Sequence, residues 1–145
     1  MNWKAETEND LKVYQRRKES LENMRQAICL LEDDYCAPKS FTTGRTPVQG
    51  GASTTEDWMI RNIMKRERLE RNIQIIQSWL EWLEQGLRSL NAQQRDILNE
   101  FYMSRTPGYI ERLMERYHVE RSRVYQMKDQ ALYDLTITLY GICDL

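Results

Sequence analysis

The stretch PGYIERLMERYHVERSRVYQMKDQALYDL, residues 107–135, decides how the C-terminal part of the chain folds. Its apolar side chains recur at helical spacing on both sides of a short polar interruption. They are Ile110, Leu113, Tyr117, Val119, Val124 and Met127. This spacing predicts two helices joined by a tight turn, because the first helix buries a stripe on the second and Val119 fills the turn. The pattern is that of a helix-turn-helix.

The turn contains His118 at the position that glycine usually occupies in this motif. Histidine is one of the residues that tolerate a left-handed backbone, so the chain can still turn there. It is the only histidine of the chain, and the sequence places no nucleophile or set of metal ligands beside it. We therefore interpret His118 as a turn residue and expect neither a catalytic base nor a metal site.

The second helix of the motif carries polar side chains opposite its apolar stripe. Six of them are the predicted DNA-binding residues: Arg121, Ser122, Arg123, Tyr125, Gln126 and Lys128. Arginine can bridge guanine and glutamine can bridge adenine, whereas tyrosine and serine can hold phosphate or contact base edges. Residues 105–128 include six Lys or Arg and three Asp or Glu, in a chain whose net charge is -1. This local surplus indicates double-stranded DNA as a partner.

Capping residues predict where the shorter helices begin. Asn91 followed by Gln94 is typical of a capping box, so a helix is expected from residue 92 to about residue 102. Thr106 is the predicted N-cap of the next helix, with Pro107 at its first position. The last helix is expected from about Arg121 to Tyr140, since a glycine follows where a helix stop belongs.

The composition of the 145-residue chain favours helices throughout. Six glycines and three prolines compare with the roughly 17 expected from average usage of ~7% and ~5%. Valine occurs four times against 15 leucines, so β-branched strand formers are scarce. These counts argue against a barrel, a sandwich or a Rossmann-type sheet, and they predict an all-α protein.

Two long upstream segments carry coiled-coil-like apolar patterns. The first runs from about Ala5 to Cys36, and its stripe contains Tyr14, Leu21, Ile28 and Tyr35, then Arg17, Met24 and Leu31, with Leu11, Ala27 and Leu30 broadening it. The second begins at Ser53 or Thr54, and its stripe contains Met59, Arg66, Ile73, Leu80 and Leu87, then Leu69, Ile76, Leu83 and Leu90. Two such helices joined by a loop pack most simply as an antiparallel hairpin.

The segment 37–54 separates the two long helices. It holds two of the three prolines and three of the six glycines, so we expect a flexible loop. The acidic run 32–34 is expected to help end the first helix, because negative charge is unfavourable at a helix C-terminus. The predicted domains are thus a helical hairpin over residues 1–89 and a helix-turn-helix domain over residues 90–145.

Three tryptophans widen the apolar face of the second long helix, namely Trp58, Trp79 and Trp82. One interpretation places them in the core of the hairpin. The other makes Trp79 and Trp82 a surface for a second copy or another protein, because one hairpin buries only one side of each helix. We expect some homodimer formation through this face.

Several classes of protein are excluded by what the sequence lacks. No apolar run approaches the ~20 residues that span a bilayer, so we expect no membrane association. The polar, acidic residues 1–10 do not resemble a secretory signal, and three cysteines without a C-x-x-C pair suit a reducing cytoplasm. No nucleophile–base pair or phosphate loop can be assembled, so we expect no enzymatic activity and no cofactor.

Residues 90–139 resemble the minus-thirty-five-binding helix-turn-helix domain of sigma factors. The resemblance is carried by Leu90, Arg95, Ile97, Leu98 and Tyr102, by His118 and Val119, by residues 121–127, and by Ala131, Leu132 and Leu135. It implies that Arg121, Ser122, Tyr125 and Gln126 touch promoter DNA, and it makes RNA polymerase a candidate partner. With the long helices included, the chain is similar to phage-encoded late-transcription regulators of the ArpU and RinA type, found in Gram-positive bacteria and their prophages.

The sequence therefore predicts a sequence-specific DNA-binding transcriptional regulator of phage or prophage origin. A phage packaging (small terminase) subunit is the first alternative, since it also joins such a motif to oligomerising helices. A helical adaptor that binds protein through Trp79 and Trp82 is the second. A large ring would favour packaging, whereas a monomer or dimer that shifts promoter DNA would favour regulation.

Overall fold

The computed structural model describes residues 1–37 and 54–143. The secondary structure of these residues is entirely helical, which confirms the all-α class. The helices are α1 (Trp3–Cys36), α2 (Thr54–Arg88), α3 (Ala92–Leu98), α4 (Tyr109–Tyr117) and α5 (Arg121–Tyr140), and a π-helical turn (Asn99–Met103) continues α3. Apart from its ends, the loop predicted over 37–54 lies outside the described residues. No described helix is both long and apolar enough to cross a membrane.

The described residues group into two compact units. The first unit contains residues 1–19 together with those from residue 78 onward, and the second contains those between residues 20 and 77. Each long helix contributes to both units. By contacts, the first turns of α1 and the last turns of α2 therefore belong with α3, α4 and α5, whereas the domain boundary after residue 89 stays a prediction.

The second unit is an antiparallel helix pair held by a polar contact. The Asn62 side chain is buried and donates from Nδ2 to the Leu31 carbonyl oxygen at 2.9 Å. Arg66 Nε donates to Asn62 Oδ1 at 2.9 Å, and its guanidinium lies 5.0 Å from the centre of the Tyr35 ring. Tyr35 in turn stacks on Trp58 at 6.2 Å. A slip of register would leave the buried amide unsatisfied, so this contact fixes the alignment of the two helices.

The first unit contains the remainder of the helix pair, also antiparallel. The Tyr14 hydroxyl donates to Glu84 Oε1 at 2.7 Å, and the Arg17 guanidinium lies 4.3 Å from the centre of the Trp79 ring. Trp82 packs its ring edge-on against Tyr140 at 5.5 Å. The predicted hairpin is confirmed, and both tryptophans have partners within the chain.

One residue of the predicted apolar stripe faces solvent. Leu30 is 68% exposed, so its assignment to the stripe of α1 is wrong. At about 100° per residue, a side chain two positions from Ile28 points roughly 200° away from it. Leu30 therefore lies on the outer side of α1, opposite the face that meets α2.

The N-terminal turns of α1 pack against α5 within the first unit. Thr7 and Thr136 are fully buried, and Thr136 Oγ1 donates to Thr7 Oγ1 at 2.9 Å. The Trp3 ring lies 4.9 Å from the ring of Tyr140, whose hydroxyl donates to Asp10. The start of α1 is thus part of the core that supports α5.

The predicted capping box at the start of α3 is confirmed. The Gln94 backbone N–H donates to Asn91 Oδ1 at 2.8 Å, and the Asn91 backbone N–H donates to Gln94 Oε1 at 3.3 Å. Arg95 Nη1 donates to the Leu90 carbonyl oxygen at 2.7 Å, which ties α3 to the end of α2. The helix predicted to about residue 102 continues as the π-helical turn, whose Phe101 is buried.

The predicted start of α4 is wrong by two residues. Gly108, in a left-handed conformation with φ of 78°, is the N-cap, and the helix begins at Tyr109 rather than at Pro107. Arg112 folds back over this corner and donates to the Pro107 carbonyl oxygen at 2.8 Å and to the Thr106 hydroxyl. The Thr106 side chain is therefore engaged by a guanidinium instead of capping the helix.

Candidate nucleic-acid interface

The connection between α4 and α5 contains His118 in the left-handed conformation, with φ of 54° and ψ of 48°. Its backbone N–H donates to the Met114 carbonyl oxygen, and so does that of Val119, at 3.1 Å. His118 is the only non-glycine residue with a positive φ in the described part of the chain. The prediction that His118 adopts a left-handed backbone between the two helices is confirmed.

A small core fixes α4, the turn and α5 on one another. Its buried members are Ile97, Phe101, Ile110, Leu113 and Val124, and the half-buried side chains packed against it include Tyr117, Val119 and Met127. The apolar residues quoted from the sequence stretch 107–135 therefore all point to this core or line it. Consequently the opposite side of α5 is open to solvent over its first turns.

Ion pairs of α4 neutralise part of the predicted surplus of Lys and Arg over residues 105–128. Arg112 Nη2 lies 3.0 Å from Glu100 Oε2, and Arg116 Nη1 lies 2.5 Å from Asp96 Oδ2. The Tyr117 hydroxyl donates to the same Asp96 oxygen at 2.5 Å. Burial, followed by this hydrogen bond, raises the pKa of Tyr117 to about 12. Both arginines are thus committed to holding α4 against α3 and the π-helical turn.

Four of the six predicted DNA-binding residues lie together on the open side of the first turns of α5. They are Arg121, Ser122, Arg123 and Gln126, and all four are exposed. The Arg121 side chain is 63% exposed and reaches Glu111 only at 4.0 Å, so its guanidinium can turn toward a ligand. We call these four residues the exposed quartet.

The other two predicted residues, Tyr125 and Lys128, also contact the core. Tyr125 is 39% exposed and its ring also packs edge-on against Phe101 at 5.8 Å, so it lies partly on the open face and partly against the core. The Lys128 side chain is only 17% exposed, with Nζ 2.7 Å from Asp129 Oδ1 and 5.8 Å from the centre of the Phe101 ring. Lys128 is therefore poorly placed to reach a phosphate from this face.

A cleft beside the exposed quartet was not predicted from the sequence. It has a volume of about 410 Å³ and is lined by Asn91, Gln93, Gln94, Ile97, Arg123, Gln126, Met127 and Gln130. Asp134 holds the wall in place, since it accepts from Gln94 Nε2 at 2.7 Å and from Gln130 Nε2 at 2.9 Å. Because its two sides lie about 30 residues apart in the chain, no local pattern reveals the cleft.

The described residues offer few groups for metal binding or thiol chemistry. Among residues 1–37 and 54–143, no three His, Cys, Asp or Glu side chains are grouped so that they could hold a metal ion. The three cysteines are free thiols, two of them exposed and Cys143 buried. The chemistry of the open face of α5 is therefore that of amides, a hydroxyl and guanidinium groups.

No family model matches the chain, and no curated protein or solved structure is similar enough to match it. The likeness to the sigma-factor domain and to the ArpU and RinA type therefore stays a prediction from the residues that carry it. What the open face of α5 can bind must follow from its own side chains and their geometry.

Proposed function

We propose that the protein binds double-stranded DNA with the first turns of α5 in the major groove, and that it regulates transcription. The observation that carries this proposal is the exposed quartet, Arg121, Ser122, Arg123 and Gln126. An α-helix with its side chains is ~10–12 Å wide, and the major groove is about 12 Å wide, so α5 fits it end-on or obliquely. The first residues of such a helix are those that reach base edges.

The side chains of the exposed quartet match the chemistry of base edges. Arg121 and Arg123 can each donate two hydrogen bonds to guanine, and Gln126 can donate to and accept from adenine. Among the residues that the structure describes, neither guanidinium has a carboxylate closer than 4.0 Å, in contrast to those of Arg112 and Arg116. Their charge is therefore available to a ligand.

The amide-lined cleft supports the same proposal. Arg123 and Gln126 lie on one side of it, and Asn91 and Gln93 lie on the other. A sugar–phosphate strand that borders the groove would run along this cleft, where amide and guanidinium donors hydrogen-bond to phosphate oxygens. Such contacts position a protein on DNA, whereas the base contacts of the exposed quartet supply the sequence preference.

The adaptor alternative rested on Trp79 and Trp82 as a protein-binding surface. Arg17 covers the first ring and Tyr140 packs against the second. Neither tryptophan ring is therefore fully accessible to a partner protein, and we favour DNA binding over this alternative. A role in phage late transcription follows from the resemblance to the ArpU and RinA type and is part of the proposal.

The test is selection of bound duplexes from fragmented source DNA, followed by affinity measurements on the selected and a scrambled sequence. Arg121→Ala or Gln126→Ala should weaken binding to the selected site by roughly 5- to 100-fold, since a bidentate base contact contributes ~1–3 kcal/mol. Affinity for the scrambled duplex should change little. Arg88→Ala and Gln85→Ala, exposed residues of α2, are matched controls. If the ratio of the two affinities survives both α5 substitutions, this face does not read sequence.

A further inference from the structure

Two charged stripes in the unit between residues 20 and 77 are not used by the proposed DNA surface. The acidic stripe of α1 consists of Leu30, Asp33 and Asp34, and the basic stripe of α2 consists of Arg61, Met64, Lys65 and Arg68. Spacings of three, four and seven place the members of each stripe on one side of their helix. All seven side chains are exposed.

The acidic stripe lies at an electrostatically unfavourable position, the C-terminal end of α1. Asp33 and Asp34 lie within the last turn of α1, which ends at Cys36. The C-terminal end of a helix carries negative partial charge, so carboxylates there are destabilised and cations are welcome. Among the described residues, neither carboxylate has an ion-pair partner. Leu30, 68% exposed, lies one turn before them.

The basic stripe has complementary charge and contains a groove. Arg61, Met64, Lys65 and Arg68 line a groove of about 190 Å³ on α2. Met64 is 46% exposed and forms its apolar part. No carboxylate of the described residues neutralises the three cations.

We propose that the acidic stripe of one copy of this chain docks on the basic stripe of a second copy. Leu30 enters the groove against Met64, and the carboxylates of Asp33 and Asp34 meet the surrounding cations. The match is of charge, of helical spacing and of an apolar side chain with the apolar part of the groove. The phosphates of a DNA backbone, which carry no apolar groups, would leave Leu30 and Met64 unpaired.

The contact joins two different surfaces, so it is head-to-tail rather than two-fold symmetric. A pair of copies keeps one free stripe of each kind, and further copies add until the assembly closes into a ring or remains an open chain. This self-association does not depend on whether α5 binds DNA. It also differs from the homodimer expected through Trp79 and Trp82.

The experiment is sedimentation velocity of the full chain over a range of concentrations at roughly 0.05 M and roughly 0.5 M salt, which changes the Debye length about threefold. The average mass should exceed that of the monomer at low salt, rise with concentration and fall at high salt. Leu30→Ser should weaken association by roughly tenfold or more. Ile75→Ser is the matched control, since Ile75 is 58% exposed on α2 outside both stripes. Monomeric wild-type protein at every concentration would overturn the proposal, and so would equal effects of the two substitutions.

A charge swap tests the pairing itself. One variant combines Asp33→Lys with Asp34→Lys, and the other combines Arg61→Glu with Lys65→Glu. Each alone should stay monomeric, and an equal mixture should associate again, with circular dichroism checking that both remain helical. If the mixture stays monomeric, the stripes do not pair. If the second variant loses DNA affinity while self-association is unchanged, the basic stripe contacts phosphate instead, and the proposal is wrong.

Discussion

The buried hydroxyl pair Thr7–Thr136 offers a sharp test of how α1 supports α5. The two residues are 129 positions apart and fully buried, and their hydroxyl oxygens lie 2.9 Å apart. Each hydroxyl also has a backbone acceptor in its own helix, the Trp3 carbonyl for Thr7 at 3.0 Å and the Leu132 carbonyl for Thr136 at 2.7 Å. Replacing one threonine by valine therefore removes the shared hydrogen bond but leaves the other hydroxyl with an acceptor.

The expected magnitude follows from this geometry. A neutral hydrogen bond contributes about 1 kcal/mol net, so Thr7→Val and Thr136→Val should each lower the free energy of unfolding by about 1 kcal/mol. Each hydroxyl carries one proton, so the wild-type pair makes two hydrogen bonds, each single variant keeps one and the double variant keeps none. The double variant should therefore lower the free energy of unfolding by about 2 kcal/mol. Each single change should lower Tm by roughly 3 °C.

The assay is urea denaturation of the two single variants, the double variant and wild type, followed by tryptophan fluorescence and circular dichroism. Thr138→Val is the control, because Thr138 is exposed, its hydroxyl donates to the Asp134 carbonyl within α5, and it accepts only a long bond of 3.4 Å from Ser89. It should change the free energy of unfolding by less than about 0.5 kcal/mol. Costs below about 0.5 kcal/mol at both buried sites, or a control as costly as the buried sites, would refute this account of the hydroxyl pair.

Three further predictions concern charge, pH and packing. Arg123→Ala should lower the slope of DNA affinity against salt concentration by the equivalent of about one charge, because Arg123 is exposed on the open face. Lys128→Ala should leave this slope unchanged, because the lysine side chain is half-buried against Asp129. Salt titrations of DNA binding by both variants test this prediction. Burial and carboxylate acceptors raise the pKa of Tyr14 and of Tyr117 to about 12. The free energy of unfolding should therefore stay level up to about pH 10 and then fall toward pH 12, because the tyrosines of the unfolded chain lose their protons first. The decline should be shallower in Tyr117→Phe. An unchanged slope in that variant would count against the hydrogen bond from Tyr117 to Asp96. Trp79→Ala should lower Tm, as scanning calorimetry would show, because the half-buried ring packs under Arg17; an unaltered Tm would mean that the ring contributes nothing to the core.

Features that depend on a few neighbouring residues could be predicted from the sequence. The capping box of Asn91 and Gln94, the stop of α5 before Gly141 and the left-handed turn at His118 all involve groups within four residues of one another. The prediction of where α4 begins was wrong, although it also depends on neighbouring residues. There, the chain prefers Gly108 as the cap while a guanidinium one turn away binds Thr106.

The candidate site could be predicted only in part. Helical spacing correctly separated the buried Val124 from the exposed Arg121, Ser122 and Gln126. It could not show that the Tyr125 ring packs on Phe101, nor that the Lys128 side chain is half-buried, because both depend on the π-helical turn. The count of basic and acidic residues over 105–128 was limited in the same way, because the sequence does not show which arginines are paired with a carboxylate.

The sequence by itself determined the helical class, the hairpin of two long helices and the apolar side of α5, because periodicity and capping are properties of short segments. Only the tertiary structure decided which side chains remain free to bind. Arg116 is taken by Asp96, 20 positions away, and the core under α5 is completed by Thr7, 129 positions away. Contacts of this kind depend on how distant helices pack, and the packing leaves Arg121, Ser122, Arg123 and Gln126 on the open face.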